Sequence, residues 1–202
     1  MAERAYDRAL QIKTIGIREW KDPSLDFNRY EATPYRALDI LFQHYKLRKT
    51  DQVVDFGCGR GRVAFYIHDR FQVPVTGIEA NDLTYEEALL NKARYRQRAK
   101  HIKAPLRFEF GLAEHYQVKP TENCFYFFNP FAASTFKKVV DNILQSVAEA
   151  PRPVDIILYY PLPKYKKILQ KGSPFRLLNK IKVPRAQDPL EKFLIYRHDK
   201  HD

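Results

Sequence analysis

Three glycines, Gly57, Gly59 and Gly61, fall within five residues directly after the apolar run 52–56, in a chain that holds only seven glycines. A strand that turns sharply into a helix while a ligand approaches its backbone needs residues without a Cβ. The free N–H groups of a helix opening near Arg60 can hold a carboxylate or a phosphate, so the turn predicts a ligand cradle without naming the ligand. Spacing narrows the choice. A dinucleotide fingerprint G-x-G-x-x-G begun at Gly57 needs a glycine where Arg62 stands, and the phosphate loop G-x-x-x-x-G-K-[ST] is also missing. What remains is D-x-G-x-G-x-G, written here as Asp55-Phe56-Gly57-Cys58-Gly59-Arg60-Gly61. A second acid, Glu79, closes the next apolar run, 24 residues after Asp55. A carboxylate in that place can accept hydrogen bonds from two neighbouring hydroxyls. A third candidate, Asn129-Pro130-Phe131, follows the run 124–128.

These residues need elements to carry them. From Asp51 onward short apolar runs alternate with helical stretches, the pattern of strand–helix–strand units and a mostly parallel sheet. Strands are expected at about 52–57, 73–79, 106–111, 124–129, 154–160, 175–183 and 192–198, with helices at 60–69, 82–100, 134–149 and 164–171. The final two strands are joined by too short a loop for a helical crossover and are read as antiparallel neighbours. Ahead of the sheet, residues 2–13 read as one helix. A second starts at Thr33-Pro34, where threonine can cap and proline suits the first turn, and Leu38, Leu41, Phe42 and Tyr45 give it one apolar face. The expectation is one three-layer α/β domain over 1–202: a doubly wound, mostly parallel seven-stranded sheet with its last strand antiparallel (51–202), and an N-terminal helical cap (1–50).

The glycine motif, the acid after the second strand and the order of elements over about 51–198 resemble class I S-adenosylmethionine-dependent methyltransferases, whose core is Rossmann-like. The resemblance implies a cofactor site made by Asp55, Phe56, Gly57, Cys58, Gly59, Gly61, Glu79 and Ala80, with Asp55 organising contacts to the amino group and Glu79 binding the ribose. Where relatives often read Gly-Asp-Ala, with the aspartate on the adenine amino group, this chain has Gly111-Leu112-Ala113-Glu114. Either the backbone at Leu112 and Ala113 reads the adenine or Glu114 takes the role. The segment Asn129-Pro130-Phe131 is similar to the Asn-Pro-Pro-Tyr/Phe motif of amino-methylating relatives, although it has one proline. That likeness implies Asn129 as the residue accepting from a target nitrogen, beside the cofactor, with Pro130 and Phe131 against the acceptor; a turn residue ending a buried strand is the plainer account. Relatives also fold an N-terminal element over the cofactor, which brings in segment 28–35 and its Tyr30 and Tyr35, otherwise a capped helix start with a packed tyrosine.

Composition bounds the rest. With 45% hydrophobic and 29% charged residues the chain should fold, and its longest apolar runs are far short of the ~20 residues that span a bilayer. No membrane association is expected. Cys58 and Cys124 lack metal-ligand spacing, and His44, His68, His101, His115, His198 and His201 form no i,i+4 pair, so no metal is implied and a reducing cytoplasm is the expected compartment. His44 and His68 read as surface residues at helix ends. Net charge is +11, and from Ile156 to Gln187 there are eight Lys/Arg and no Asp or Glu. The stretch from Pro161 through Lys164 and Tyr165 starts at the ligand-binding edge, where a basic, tyrosine-bearing loop can track phosphates and stack a base, or face solvent. The run Lys92 to Lys103 advances mostly by two and spreads its charge around a helix.

The expected function is methyl transfer from S-adenosylmethionine, leaving S-adenosylhomocysteine, to an unidentified acceptor, with a nitrogen of nucleic acid leading the candidates. The alternative is a catalytically silent cofactor-binding or nucleic-acid-binding module on the same fold. Nothing in the sequence fixes the oligomeric state.

Overall fold

The structure is a computed structural model and describes residues 2–19 and 30–199. Its centre is a seven-stranded sheet in the order β3-β2-β1-β4-β5-β7-β6. The strands are β1 (Val53–Phe56), β2 (Val75–Glu79), β3 (Leu106–Phe110), β4 (Cys124–Phe128), β5 (Val154–Tyr159), β6 (Arg176–Lys182) and β7 (Lys192–His198). β1 to β5 run parallel, and β7 runs against both β5 and β6. The helices are α1 (Ala2–Leu10), α2 (Tyr35–His44), α3 (Arg62–Phe71), α4 (Asp82–Arg98), α5 (Ala133–Glu149) and α6 (Pro163–Lys171), with a 3-10 turn at Ala113–His115 between β3 and β4.

Every residue of β1 and β5 is buried, as expected of parallel strands covered on both faces. Alternation along the strands feeds two cores. Val53, Val75, Tyr126 and Ile157 pack beneath α1 to α4, while Val54, Phe56, Phe127 and Ile156 pack beneath α5 and α6. The parallel order reverses at β1, with β2 on one side and β4 on the other, and open α/β sheets bind ligands in the crevice at such a point.

Boundaries shift where local geometry overrides pattern. α1 stops at Leu10, not near Lys13, because Gln11 turns left-handed (φ 57°). α3 begins at Arg62, because Gly61 is still left-handed (φ 88°). Thr33 does not cap α2: its hydroxyl bonds the Tyr126 hydroxyl at 2.8 Å, and Pro34 holds the cap position without a side-chain bond. His68 is not a surface residue. It is fully buried, with Nδ1 2.7 Å from the Tyr95 hydroxyl and Nε2 2.9 Å from the Ala104 carbonyl, tying α3 to α4 and to the approach of β3. His44 is exposed, and His201 lies outside the described residues.

The N-terminal segment is held by buried polar groups. Asp7 accepts from the Thr14 amide (2.6 Å), the Thr14 hydroxyl (2.7 Å) and the Tyr35 hydroxyl (2.7 Å). Arg62, 5% exposed, donates to the Thr14 hydroxyl (2.7 Å) and the Thr33 carbonyl (3.2 Å), pairs with Glu3, and lies over the Tyr35 ring. The residue that breaks the dinucleotide fingerprint is thus the clasp of the N-terminal segment. No helix among the described residues is long and apolar enough to cross a membrane.

Candidate cofactor and acceptor site

At the carboxyl edge of β1, β2 and β4 a cleft of about 650 Å³, including its open mouth, is lined by Gly57, Glu79, Ala80, Glu114, Pro130 and Phe131 among others. Ligand pockets commonly span roughly 300–1,000 Å³. The loop from β1 lets other groups approach its backbone. A Cβ at Gly57 would collide with the Pro130 ring, and one at Gly59 with the Tyr30 ring; both glycines have positive φ (71° and 56°). The β1–α3 turn is therefore packed between the 129–131 loop and the N-terminal segment, and only glycine fits either contact.

Glu79 is fixed at the end of β2: one carboxylate oxygen accepts from the Gly59 amide (2.8 Å) and the other from the Asn81 amide (2.9 Å). Burial raises its pKa, and those backbone N–H groups, with that of Ala80, pull it back. Asp55 differs. It is 3% exposed, and its Oδ2 has no hydrogen-bond partner among the described residues. Burial, with the Glu79 carboxylate second, pushes its pKa up to about 8. Asp55 lines a smaller crevice that shares Tyr30, Glu31, Gly57 and Phe128 with the cleft. A buried carboxylate without a partner is costly. A cationic ligand group beside it would supply what the protein does not. This acid and the glycine cradle could hold the amino group of a methionine moiety, and the Glu79 carboxylate could accept from a pair of ribose hydroxyls.

The other sequence-derived positions divide. Tyr30 is buried, lines the cleft, and donates its hydroxyl to the Thr14 carbonyl (2.7 Å). Ala113 and Glu114 line the cleft from the 3-10 turn, whereas Leu112 is 41% exposed and outside it. The Phe56 ring points into the opposite core, stacked on Phe127 at 5.1 Å, which leaves its backbone to the site. Cys58 is buried against Gly77, and Gly61 faces Phe108 and Phe65. Asn129 sits between cleft-lining Phe128 and Pro130 in a left-handed conformation (φ 42°). Phe131 is buried, edge-on to Phe127. Lys164 is exposed on α6, outside the cleft, and Asn28 and Arg29 lie outside the described residues.

Sequence patterns do not single out Glu31, Asn81, Gly111 and Phe128, which also line the cleft. Asn81 did carry a signal: it caps α4, its side chain accepting from the Thr84 amide at 2.9 Å. Tyr165 of α6 is a hidden support, donating to the Phe131 carbonyl at 2.6 Å and so holding the 129–131 loop from below. No cluster of three or more His, Cys, Asp or Glu suited to a metal occurs among the described residues.

No protein-family model matches the chain, and no curated protein matches it in sequence. Solved structures do match its fold. An RNA methyltransferase from Salinibacter ruber, determined with S-adenosyl-L-homocysteine, is 16% identical over 84% of this chain and 94% of that one, with TM-score 0.53. The StiE O-MT segment (residues 961–1257) is 13% identical over 83% of this chain and 75% of that one, with TM-score 0.60. TrmN from Thermus thermophilus is 16% identical over 81% of this chain and 48% of that one, with TM-score 0.55. The chain has the Rossmann-like fold of class I methyltransferases.

Proposed function

We propose that this chain is an S-adenosylmethionine-dependent methyltransferase acting on a nitrogen of nucleic acid, with 1–50 capping a core of 51–202. The observation that carries the reading is the orphaned, buried Asp55 Oδ2 beside a glycine cradle that Glu79, Pro130 and Tyr30 enclose. Asp55 would hold the cofactor's ammonium, Glu79 its ribose hydroxyls, and the edge of Ala80, Ala113 and Glu114 its adenine. The cofactor supplies a methyl group on a sulfonium for in-line displacement, so the protein's main task is to align the acceptor. Asn129 would accept a hydrogen bond from the acceptor nitrogen, and Phe131, pinned by Tyr165, closes the wall behind it. Tyr30 excludes water by covering Gly59.

A net charge of +11 and a shared fold with the Salinibacter ruber RNA methyltransferase support the acceptor class. Calorimetric titration with S-adenosylhomocysteine tests the cofactor reading. Wild type is expected to bind, and Asp55→Ala and Glu79→Ala each to weaken binding about tenfold or more, since each removes a charged hydrogen-bonding group. No binding by wild type overturns it. Binding without methyl incorporation into any RNA or DNA would leave a cofactor-binding module.

A further inference from the structure

Several cations of this protein outside its last third are answered by acids, although others, such as Arg94, Lys100 and Lys103, have no ion pair among the described residues. Arg18 and Arg60 share Glu87, Arg70 pairs with Asp39, Arg98 with Asp69, and Lys137 with Asp141. On α6 and β6 that pattern stops. Among the described residues, Lys164, Lys166, Lys167, Lys171, Lys180 and Lys182 have no ion pair. β6 is the sheet's edge strand, bulged between Leu177 and Asn179 and exposed from Arg176 to Lys180. Lys180 and Lys182 are two residues apart and share a face, and Lys192 of β7 stands directly opposite Lys182. Like charges directly opposite are unfavourable in a sheet. Lys192, partly desolvated and crowded by Lys180, Lys166 and Lys182, has its pKa lowered as a result. Asp188, whose carboxylate accepts from the Tyr160 hydroxyl and the Leu190 amide, offsets this crowding only in part, and Lys192 Nζ donates to the Pro189 carbonyl at 2.8 Å.

Two contacts join this face to the cleft. Tyr165, between Lys164 and Lys166, bonds the Phe131 carbonyl. Phe128, a cleft wall, lies 6.4 Å from the ring of Tyr160, whose amide donates to the Lys192 carbonyl at 3.2 Å. Tyr160 follows β5 directly with φ 53°, a left-handed conformation rare for a bulky side chain, and such strain concentrates at functional sites.

We propose that the outer face of α6, β6 and the start of β7 binds single-stranded RNA, with Lys166, Lys180, Lys182 and Lys192 tracking phosphates and Tyr160 stacking a base at the mouth of the cleft. The inference rests on the proposed function for its direction toward the cleft, not for the binding itself. Unpaired lysines act as point charges for a backbone, and one aromatic platform suits a base without reading its sequence. An unpaired strand also delivers a base edge without the cost of extruding it from a duplex.

The test is fluorescence anisotropy of a short labelled oligoribonucleotide across a salt series, on the full chain. Wild type should bind with an affinity that falls steeply with salt. The quadruple variant K166Q/K180Q/K182Q/K192Q should bind at least tenfold more weakly at low salt, its salt slope shallower by about 3, as four lost phosphate contacts on a single strand require. Neutralising exposed Arg94, Lys100 and Lys103 on and beyond α4 should change neither. Thermal melting and S-adenosylhomocysteine titration of the same variants keep the outcomes apart. Unchanged cofactor binding with lost RNA binding supports the proposal, and lost cofactor binding in wild type sinks only the methyltransferase reading. Equal losses from both surfaces, an unchanged slope, tighter binding of duplex DNA, or a quadruple variant that keeps RNA affinity but self-associates along its sheet edge would each overturn it.

Discussion

The cleft at β1 and β2 and the face of α6 and β6 carry titratable groups of opposite sign, and they hold them by opposite means. At the cleft and the crevice joined to it stand two acids, Glu79 clamped between the amides of Gly59 and Asn81 and buried Asp55 left with an unanswered oxygen among the described residues. On the lysine face the ammonium groups sit at the surface, spaced along a helix and an edge strand, and among the described residues those of α6 and β6 have no ion pair. A fixed, desolvated charge recognises one small cation in one orientation. A row of solvated charges makes a field that a flexible polyanion can follow, strong at low salt and weak at high salt. The difference teaches that cofactor and acceptor recognition should fail separately.

The largest break in that comparison should come from Asp55→Ala. Removing a hydrogen-bonding group from a charged partner costs about 1.5–3 kcal/mol, so S-adenosylhomocysteine affinity should fall about tenfold or more in calorimetry while the salt slope of RNA binding stays put. Gly59→Ala comes next: its Cβ would meet the Tyr30 ring at a positive φ, and strain of about 1–3 kcal/mol should lower the melting temperature by several degrees and weaken cofactor binding in parallel.

A pH series sharpens the contrast further. The raised pKa of buried Asp55 means the folded, ligand-free protein holds a proton that the unfolded chain releases near pH 4. Its contribution to stability is present below that pH and is lost as pH rises through about 8. Between pH 6 and pH 9, thermal melting of wild type should therefore fall more than that of Asp55→Asn; parallel curves would show that Asp55 does not titrate there. The smallest effect is expected from Tyr165→Phe, which removes the hydrogen bond under Phe131. About 1 kcal/mol of stability should go, with methyl transfer reduced and cofactor affinity unchanged; a change confined to cofactor binding would contradict the support assigned to Tyr165.

The fold was largely legible because its central strands β1, β4 and β5 are mainly apolar runs and its last two are joined by a short loop; these patterns leave few topologies. Helix starts were less so. The onset of α3 depends on Gly61 remaining left-handed, which spacing alone does not reveal. For the cleft, the acids and glycines stood out because their types are dictated by backbone approach and hydrogen bonding. Glu31 and Phe128 did not, since a residue's place on a cleft wall follows from tertiary packing. His68 misled for the same reason: a polar ring near a helix end looks solvated until α4 supplies Tyr95 and the chain before β3 the carbonyl of Ala104.

The clasp at Arg62 bears on how this loop can evolve. One replacement, Arg62→Gly, would spell G-x-G-x-x-G in the β1–α3 turn and write a dinucleotide fingerprint into the chain. The same replacement would strip the side chain that binds Glu3, Thr14 and the Thr33 carbonyl, undocking the segment whose Tyr30 covers Gly59. The path from this loop to a dinucleotide fingerprint is a single codon long in sequence, yet it passes through a protein whose N-terminal segment has lost its clasp.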